Sequence, residues 1–140
     1  MNVILTDCIF CEIVNGKLPH HLIYEDKNHL VILDRYPIDV GHSLIITKKP
    51  YEKLTDMEVP EIAELFSKIP KIASAIIKAT NADAFTIAQN NGKAAKQIVP
   101  HVHVHIIPRY SATGTLWTKR KILTENELDE LAQKIKNCLE

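Results

Sequence analysis

The sequence predicts an α+β fold: a five-stranded antiparallel sheet with one long kinked helix and a C-terminal helix. Two patterns predict it. Five short runs rich in β-branched residues are bounded by Asp, Asn, Pro and Gly. Two longer segments repeat apolar side chains at the three- and four-residue spacing of an amphipathic helix.

The first three strands are Leu22-Ile23-Tyr24 before Glu25-Asp26, Leu30-Val31-Ile32-Leu33 ending at Asp34, and Ser43-Leu44-Ile45-Ile46-Thr47. Their short connections imply an antiparallel meander. From Thr55 to Thr80, Ile62, Leu65, Phe66, Ile69, Ile72, Ala73, Ile76 and Ile77 form one stripe in helical phase. Thr55 or Asp56 offers a cap at its start. Pro70 removes one backbone donor inside it, and the unbroken phase of the stripe predicts a kink and not a clean break. Ala84–Gln89 and Pro100–Ile107 complete the strands, joined through the polar loop Asn90-Asn91-Gly92, and Glu125–Leu139 is the last helix. This order is expected to gather the helices on one side of the sheet.

A chain of 140 residues with four glycines and no Ser/Gly-rich or Pro-rich stretch reads as a single domain, 1–140. Lys plus Arg equals Asp plus Glu at 17 each, so the positive field that drives binding to nucleic acid polymers is missing, and a nucleotide partner would be small. The short Val3-Ile4-Leu5 run has neither a basic flank nor the length of a signal or membrane segment, so a cytoplasmic protein without membrane contact is expected. Three cysteines, an odd number, argue against a disulfide framework, and Cys138 falls in the last helix.

The chemistry concentrates in His101-Val102-His103-Val104-His105. A strand sends alternate side chains to opposite faces, which would align three imidazoles on one face and Val102, Val104 and Ile106 on the other. Three of the seven histidines fall within these five residues, too dense a cluster for packing alone. On a flat strand the outer two lie about 13 Å apart at Cα, too far for all three to meet one zinc ion. Attack of the middle imidazole on phosphorus, with its neighbours holding it and the departing group, uses the spacing as it stands.

The run His101-Val102-His103-Val104-His105-Ile106-Ile107 resembles the histidine triad of the HIT superfamily of nucleotidyl hydrolases and transferases. The resemblance extends through Cys8-Ile9-Phe10-Cys11, Leu33-Asp34, Gly41-His42 and Pro108-Arg109, and is nearest to the Hint-like bacterial branch. It implies His103 as the nucleophile that forms a transient phosphohistidine with a nucleotide α-phosphate. It further implies that His105 orients the His103 ring, that His101 assists at the phosphate and leaving group, and that His42 supplies a fourth imidazole. Asp34 would meet the ribose hydroxyls, Asn90 and Gln97 the phosphate and leaving group, and Ile9, Phe10, Leu18 and Leu33 the purine. Lys96-Gln97-Ile98 stands where the family usually has Gly-Gln-Ser or Gly-Gln-Thr, a departure that removes a glycine and a hydroxyl and bears on leaving-group preference. Arg109 reads as a partner for a surface carboxylate before a phosphate.

Cys8-x-x-Cys11 has zinc-ligand spacing. Related bacterial proteins bind structural zinc with such a pair, the first triad histidine and a histidine after the third strand. This chain has Thr47-Lys48-Lys49-Pro50 there, so Cys8, Cys11 and His101 would leave the site one ligand short, and two reduced thiols are the default expectation. The resemblance therefore implies a hydrolase that releases a nucleoside monophosphate from a purine phosphoramidate or acyl-nucleotide, with no cofactor needed for catalysis and structural zinc as an open option. A diadenosine polyphosphate hydrolase and a nucleotide-binding regulatory module with little turnover are the alternatives, the second disfavoured by the intact His42, His101, His103 and His105. Family members pair their sheets, so a homodimer is expected. Of the last twenty residues only Trp117 stands out.

Overall fold

Strands β1 (Leu22–Glu25), β2 (His29–Leu33), β3 (Ser43–Thr47), β4 (Ala84–Ala88) and β5 (His103–Arg109) form one antiparallel sheet in the order β1-β2-β3-β5-β4. The computed structural model describes residues 8–113 and 122–139. Trp117 and the Val3–Leu5 run lie outside the described residues. Among the described residues no helix is long and apolar enough to cross a membrane.

Every residue of β2 and β3 is buried, so the centre of the sheet is covered on both faces. On one face Val31, Leu33, Ile45, Val104 and Ile106 pack in a single core with Leu65, Ile72, Ile76, Leu128 and Ile135. These last come from α2 (Val59–Ser67), α3 (Ile69–Thr80) and α4 (Glu125–Cys138). On the other face Leu30, Ile32, Leu44 and Ile46 pack against Cys8, Phe10 and Ile13. That cover is α1 (Ile9–Val14), a six-residue helix that corrects the expectation of helices on one side only. A single turn and a half, in which Ile9, Phe10, Ile13 and Val14 are the apolar residues besides Cys11, carries too little periodicity to be read in advance.

The predicted long helix is bent as expected, at Lys68, whose φ of −75° and ψ of −20° keep a helical hand between α2 and α3. Pro70 sits in the first turn of α3, where its missing N–H would have had no helical partner. The start differs from expectation. Thr55 and Asp56 belong to a separate 3₁₀ turn (Leu54–Asp56), and α2 begins three residues later, where the Glu61 carboxylate accepts from the Glu58 backbone N–H at 3.1 Å. Pro60 fits that same first turn.

Strand β5 also differs: it starts at His103 and not Pro100, and runs on to Arg109. Its pairing with β3 ends at Ser43↔Ile106, so Pro108 lies where only β4 remains as a neighbour and a missing N–H breaks no central ladder. The hinge into β3 is Gly41, at φ +94°, against Thr80 of α3 and Pro108 of β5.

Candidate active site

The register of β5 decides which way its side chains point. His103 lies opposite Ile46 and His105 opposite Leu44, on the α1 face, while Val104 and Ile106 enter the helix-side core. The alternation read from the sequence therefore holds for the second and third histidines.

His101 departs from it. It stands in a bend before the strand, where its backbone N–H bonds the Val99 carbonyl at 2.8 Å, and its ring is fully buried. Its Nε2 donates to the Thr47 carbonyl at 2.6 Å, and its Nδ1 faces the sulfurs of Cys8 and Cys11 at 3.2 and 3.3 Å. The ring is thus turned away from the position at a phosphate that the resemblance implies for it. The backbone of His101 acts instead: its carbonyl accepts from His103 Nδ1 at 2.7 Å. That bond, and not one from His105, sets the orientation of the His103 ring, which His105 meets edge-on at 4.8 Å between centroids.

Hydrogen-bond partners assign the tautomers. A carbonyl oxygen only accepts, so His103 carries its hydrogen on Nδ1 and keeps the lone pair on Nε2. Burial pushes the His103 pKa below the usual imidazole value, the His101 carbonyl opposing only in part, and the neutral nucleophilic form prevails at pH 7. A second chain runs the other way. The Ile38 backbone N–H donates to His42 Nδ1 at 3.0 Å, which leaves the His42 hydrogen on Nε2 to be donated to His105 Nδ1 at 2.9 Å. Asp34 Oδ2 lies 3.6 Å from that same Nε2. Neutral His105 then carries its hydrogen on Nε2. Of two imidazoles side by side, one offers a lone pair and the other an N–H.

Both line a cavity of about 710 Å³, within the range of nucleotide-sized ligand sites. Ile9, Phe10, Leu18, Leu33, Asp34 and Asn90 line it too, so six of the seven predicted substrate-binding residues come together. Gln97 does not. It is buried in its own loop, accepting from the Gly92 N–H at 2.7 Å and donating to the Glu52 carbonyl at 2.6 Å, so it shapes the cavity's edge from behind. Arg109 is buried as well, not at the surface, and its Nε donates to Thr86 Oγ1 across the β4–β5 pair at 3.0 Å. Lys96 and Ile98, singled out in the sequence as a departure from the family pattern, line the cavity wall, and sequence reasoning missed His21 and Tyr36 beside them. His21 is clamped between Asp129 Oδ1 at 2.7 Å and Glu125 Oε2 at 2.9 Å on α4, a contact across more than a hundred residues that no local pattern announces.

Among the described residues, two clusters bring metal-ligating atoms together. In Asp34, His42 and His105 the two imidazoles are joined by a direct hydrogen bond at 2.9 Å, which occupies the space an ion would take. In Cys8, Cys11 and His101 the three donor atoms lie within 4.8 Å of one another. The first turn of α1 brings the Cα atoms of Cys8 and Cys11 to 5.3 Å, so that both sulfurs face the His101 ring. Pro50 offers no side-chain donor, and Thr47 Oγ1 donates to the Lys49 carbonyl at 2.8 Å. Cys8, Cys11 and His101 supply three converging donors, one short of the four-ligand set of structural zinc.

The sheet thus presents two oppositely tautomerised histidines to a cleft that apolar residues also line. The HIT domain family matches residues 15–112, and this chain belongs to that family. An adenylylsulfatase of Arabidopsis thaliana is 41% identical over 134 residues, 95% of this chain and 68% of the relative. An adenosine 5′-monophosphoramidase of Saccharomyces cerevisiae is 36% identical over 135 residues, 94% of this chain and 80% of the relative. A crystal structure of a HIT-like protein involved in cell-cycle regulation from Bartonella henselae superposes with a TM-score of 0.88 at 33% identity, covering 96% of this chain and 98% of that one.

Proposed function

We propose that this protein hydrolyses a bond to the α-phosphate of a purine nucleotide through a covalent His103 intermediate, releasing a nucleoside monophosphate. The observation that carries the reading is the 2.7 Å bond from His103 Nδ1 to the His101 carbonyl, which leaves the Nε2 lone pair on the wall of the cavity. The activities named for the plant and yeast relatives, on adenylyl sulfate and adenosine phosphoramidate, support it.

The steps follow from the groups present. His103 Nε2 donates its pair to the α-phosphorus, and the bond to the leaving group breaks with its electrons going to that group, an oxyacid leaving as its anion and an amine taking up a proton from solvent as it leaves. In this reading the His105 N–H and the Asn90 amide, both from residues that line the cavity, meet the charge that spreads over the non-bridging oxygens. Water then attacks the phosphohistidine, the P–N bond pair returns to His103, and the water proton leaves with solvent. Asp34 accepts from ribose hydroxyls, and Ile9, Phe10, Leu18 and Leu33 supply the apolar surface for the base. The catalytic steps call on no metal. Strand β4, at the edge of the sheet with Phe85 exposed, is where a second copy would extend the sheet into a homodimer.

The test is turnover of adenosine phosphoramidate, adenylyl sulfate and a diadenosine polyphosphate side by side, with His103→Ala and His103→Asn as controls. The reading expects loss of at least 10³-fold in kcat for both variants, and radiolabel from an α-phosphate trapped on the wild-type protein alone. Turnover by the variants comparable to wild type would remove His103 as nucleophile. Cleavage of the diadenosine compound alone would favour the polyphosphate reading, and tight nucleotide binding with no turnover the regulatory one.

A further inference from the structure

In an in-line displacement the leaving group stands opposite the entering nitrogen. The His103 ring is sunk in the cavity wall, so the leaving group faces the open side, where the exposed lining residues are Ile9, Pro19, Arg35, Tyr36, Lys96 and Ile98. Two cationic side chains line this cavity. Arg35 has its guanidinium 3.5 Å from Glu125, whereas no carboxylate among the described residues lies within ion-pair distance of Lys96.

The backbone adds a second observation. Lys96 sits at φ +63°, in the left-handed region that costs an L side chain energy and a glycine nothing. The loop holds it there: Gln97, its neighbour, is pinned inward to Gly92 and Glu52, and the Lys96 N–H bonds the Lys93 carbonyl at 2.9 Å. With Gln97 turned in, Lys96 and Ile98 on either side are the pair that face the cavity. Lys96 brings a positive charge and three donors to that edge, and Ile98 brings no donor at all.

We propose that Lys96 is a specificity-determining residue that favours substrates whose α-phosphate is bonded to an anionic oxyacid, sulfate or phosphate, over those bonded to an amine. The inference rests on the hydrolase reading above and names its leaving group. An oxyacid departs as an anion with the bonding pair and needs no proton, so an ammonium group stabilises it as it leaves. An amine departs with a proton, and the Ile98 side chain has none to give or to guide.

The experiment compares kcat/KM for adenosine 5′-phosphosulfate and adenosine 5′-phosphoramidate in wild type, Lys96→Ala, Lys96→Gly and Lys96→Arg. The ratio of the two is expected to fall about tenfold in Lys96→Ala and Lys96→Gly and to recover in Lys96→Arg. Ile98→Ser is expected to shift the ratio toward the phosphoramidate. An unchanged ratio in Lys96→Ala and Lys96→Gly overturns the proposal, whether both rates fall together or neither falls. Binding supplies a separate arm: the ratio of AMP to ADP dissociation constants, measured by calorimetry, should drop severalfold in Lys96→Ala. Failure of wild type to cleave either substrate would overturn the hydrolase reading, and the binding ratio would still decide the anion subsite, for it if the preference for ADP is lost and against it if the preference persists.

Discussion

At His103 one hydrogen bond to a backbone carbonyl does two jobs: it sets the ring's angle and it selects the tautomer. Because burial lowers the pKa of this imidazole, the reactive neutral form persists further into acid than an exposed histidine would allow. The acid limb of kcat/KM is therefore expected to have its midpoint below pH 6.5, with activity lost as pH falls through that lowered value and no loss from this group on the alkaline side. A pH–rate profile on a substrate that does not itself titrate there checks it; a midpoint at or above 6.5 would contradict the assignment. The types and spacing of His103 and His105 were legible in the sequence because alternation is a property of any strand. The place of His101 was not, since a bend two residues before the strand turned its ring toward the cysteines, and bends of that kind depend on what packs around them.

Among the elements, two junctions position the site. Gly41 feeds β3 and carries His42 to its place against His105. A Cβ at Gly41 would stand 2.9 Å from the Thr80 methyl and 3.0 Å from a Pro108 ring carbon, on a backbone at φ +94°. Gly41→Ala is expected to cost about 2 kcal/mol or more in denaturant unfolding, from overpacking and from the backbone together. The second junction joins the β1–β2 turn to the bend between α2 and α3. The Asp26 carboxylate accepts from the Asn28 and His29 backbone N–H groups at 2.9 and 2.8 Å and from Lys68 Nζ at 3.1 Å, so the helix bend is tied to the sheet by its own residue. Burial works to raise the Asp26 pKa, but the Asn28 amide, Lys68 and His29 outweigh it and hold the carboxyl well below the usual carboxylate range. A folded-state pKa lower than the unfolded one gives stability that is complete above about pH 4 and is lost as pH falls below it. Asp26→Asn should cost on the order of 2 kcal/mol at neutral pH and flatten the fall in stability between about pH 4 and pH 2, both readable from urea midpoints across pH. A variant with the wild-type acid profile would show that Asp26 carries none of it.

For the whole molecule, the cavity lies between the α1 face of the sheet and the loops around it, and α4 reaches it from the opposite layer through His21. With Asp129 at Nδ1 and Glu125 at Nε2, both ring nitrogens of His21 face carboxylates on the helix. Removing both negative charges, in Glu125→Gln with Asp129→Asn, is expected to loosen this wall and raise KM for the nucleotide severalfold while kcat changes less than twofold, measured by steady-state kinetics. An equal fall in kcat would instead place His21 in the chemistry.

The chain alone determined that there are five strands, a long helix kinked near Pro70, a last helix and the identity of the histidines, because these rest on periodicities of two and 3.6 residues that any local segment carries. Only tertiary structure decided that α1 covers the second face, that Gln97 and His101 turn inward while Lys96 and His21 reach the cavity, and which nitrogen of each imidazole holds its hydrogen. The physical reason is common to all of these: each depends on a partner atom from a distant segment, and a hydrogen bond to such a partner has no period to betray it.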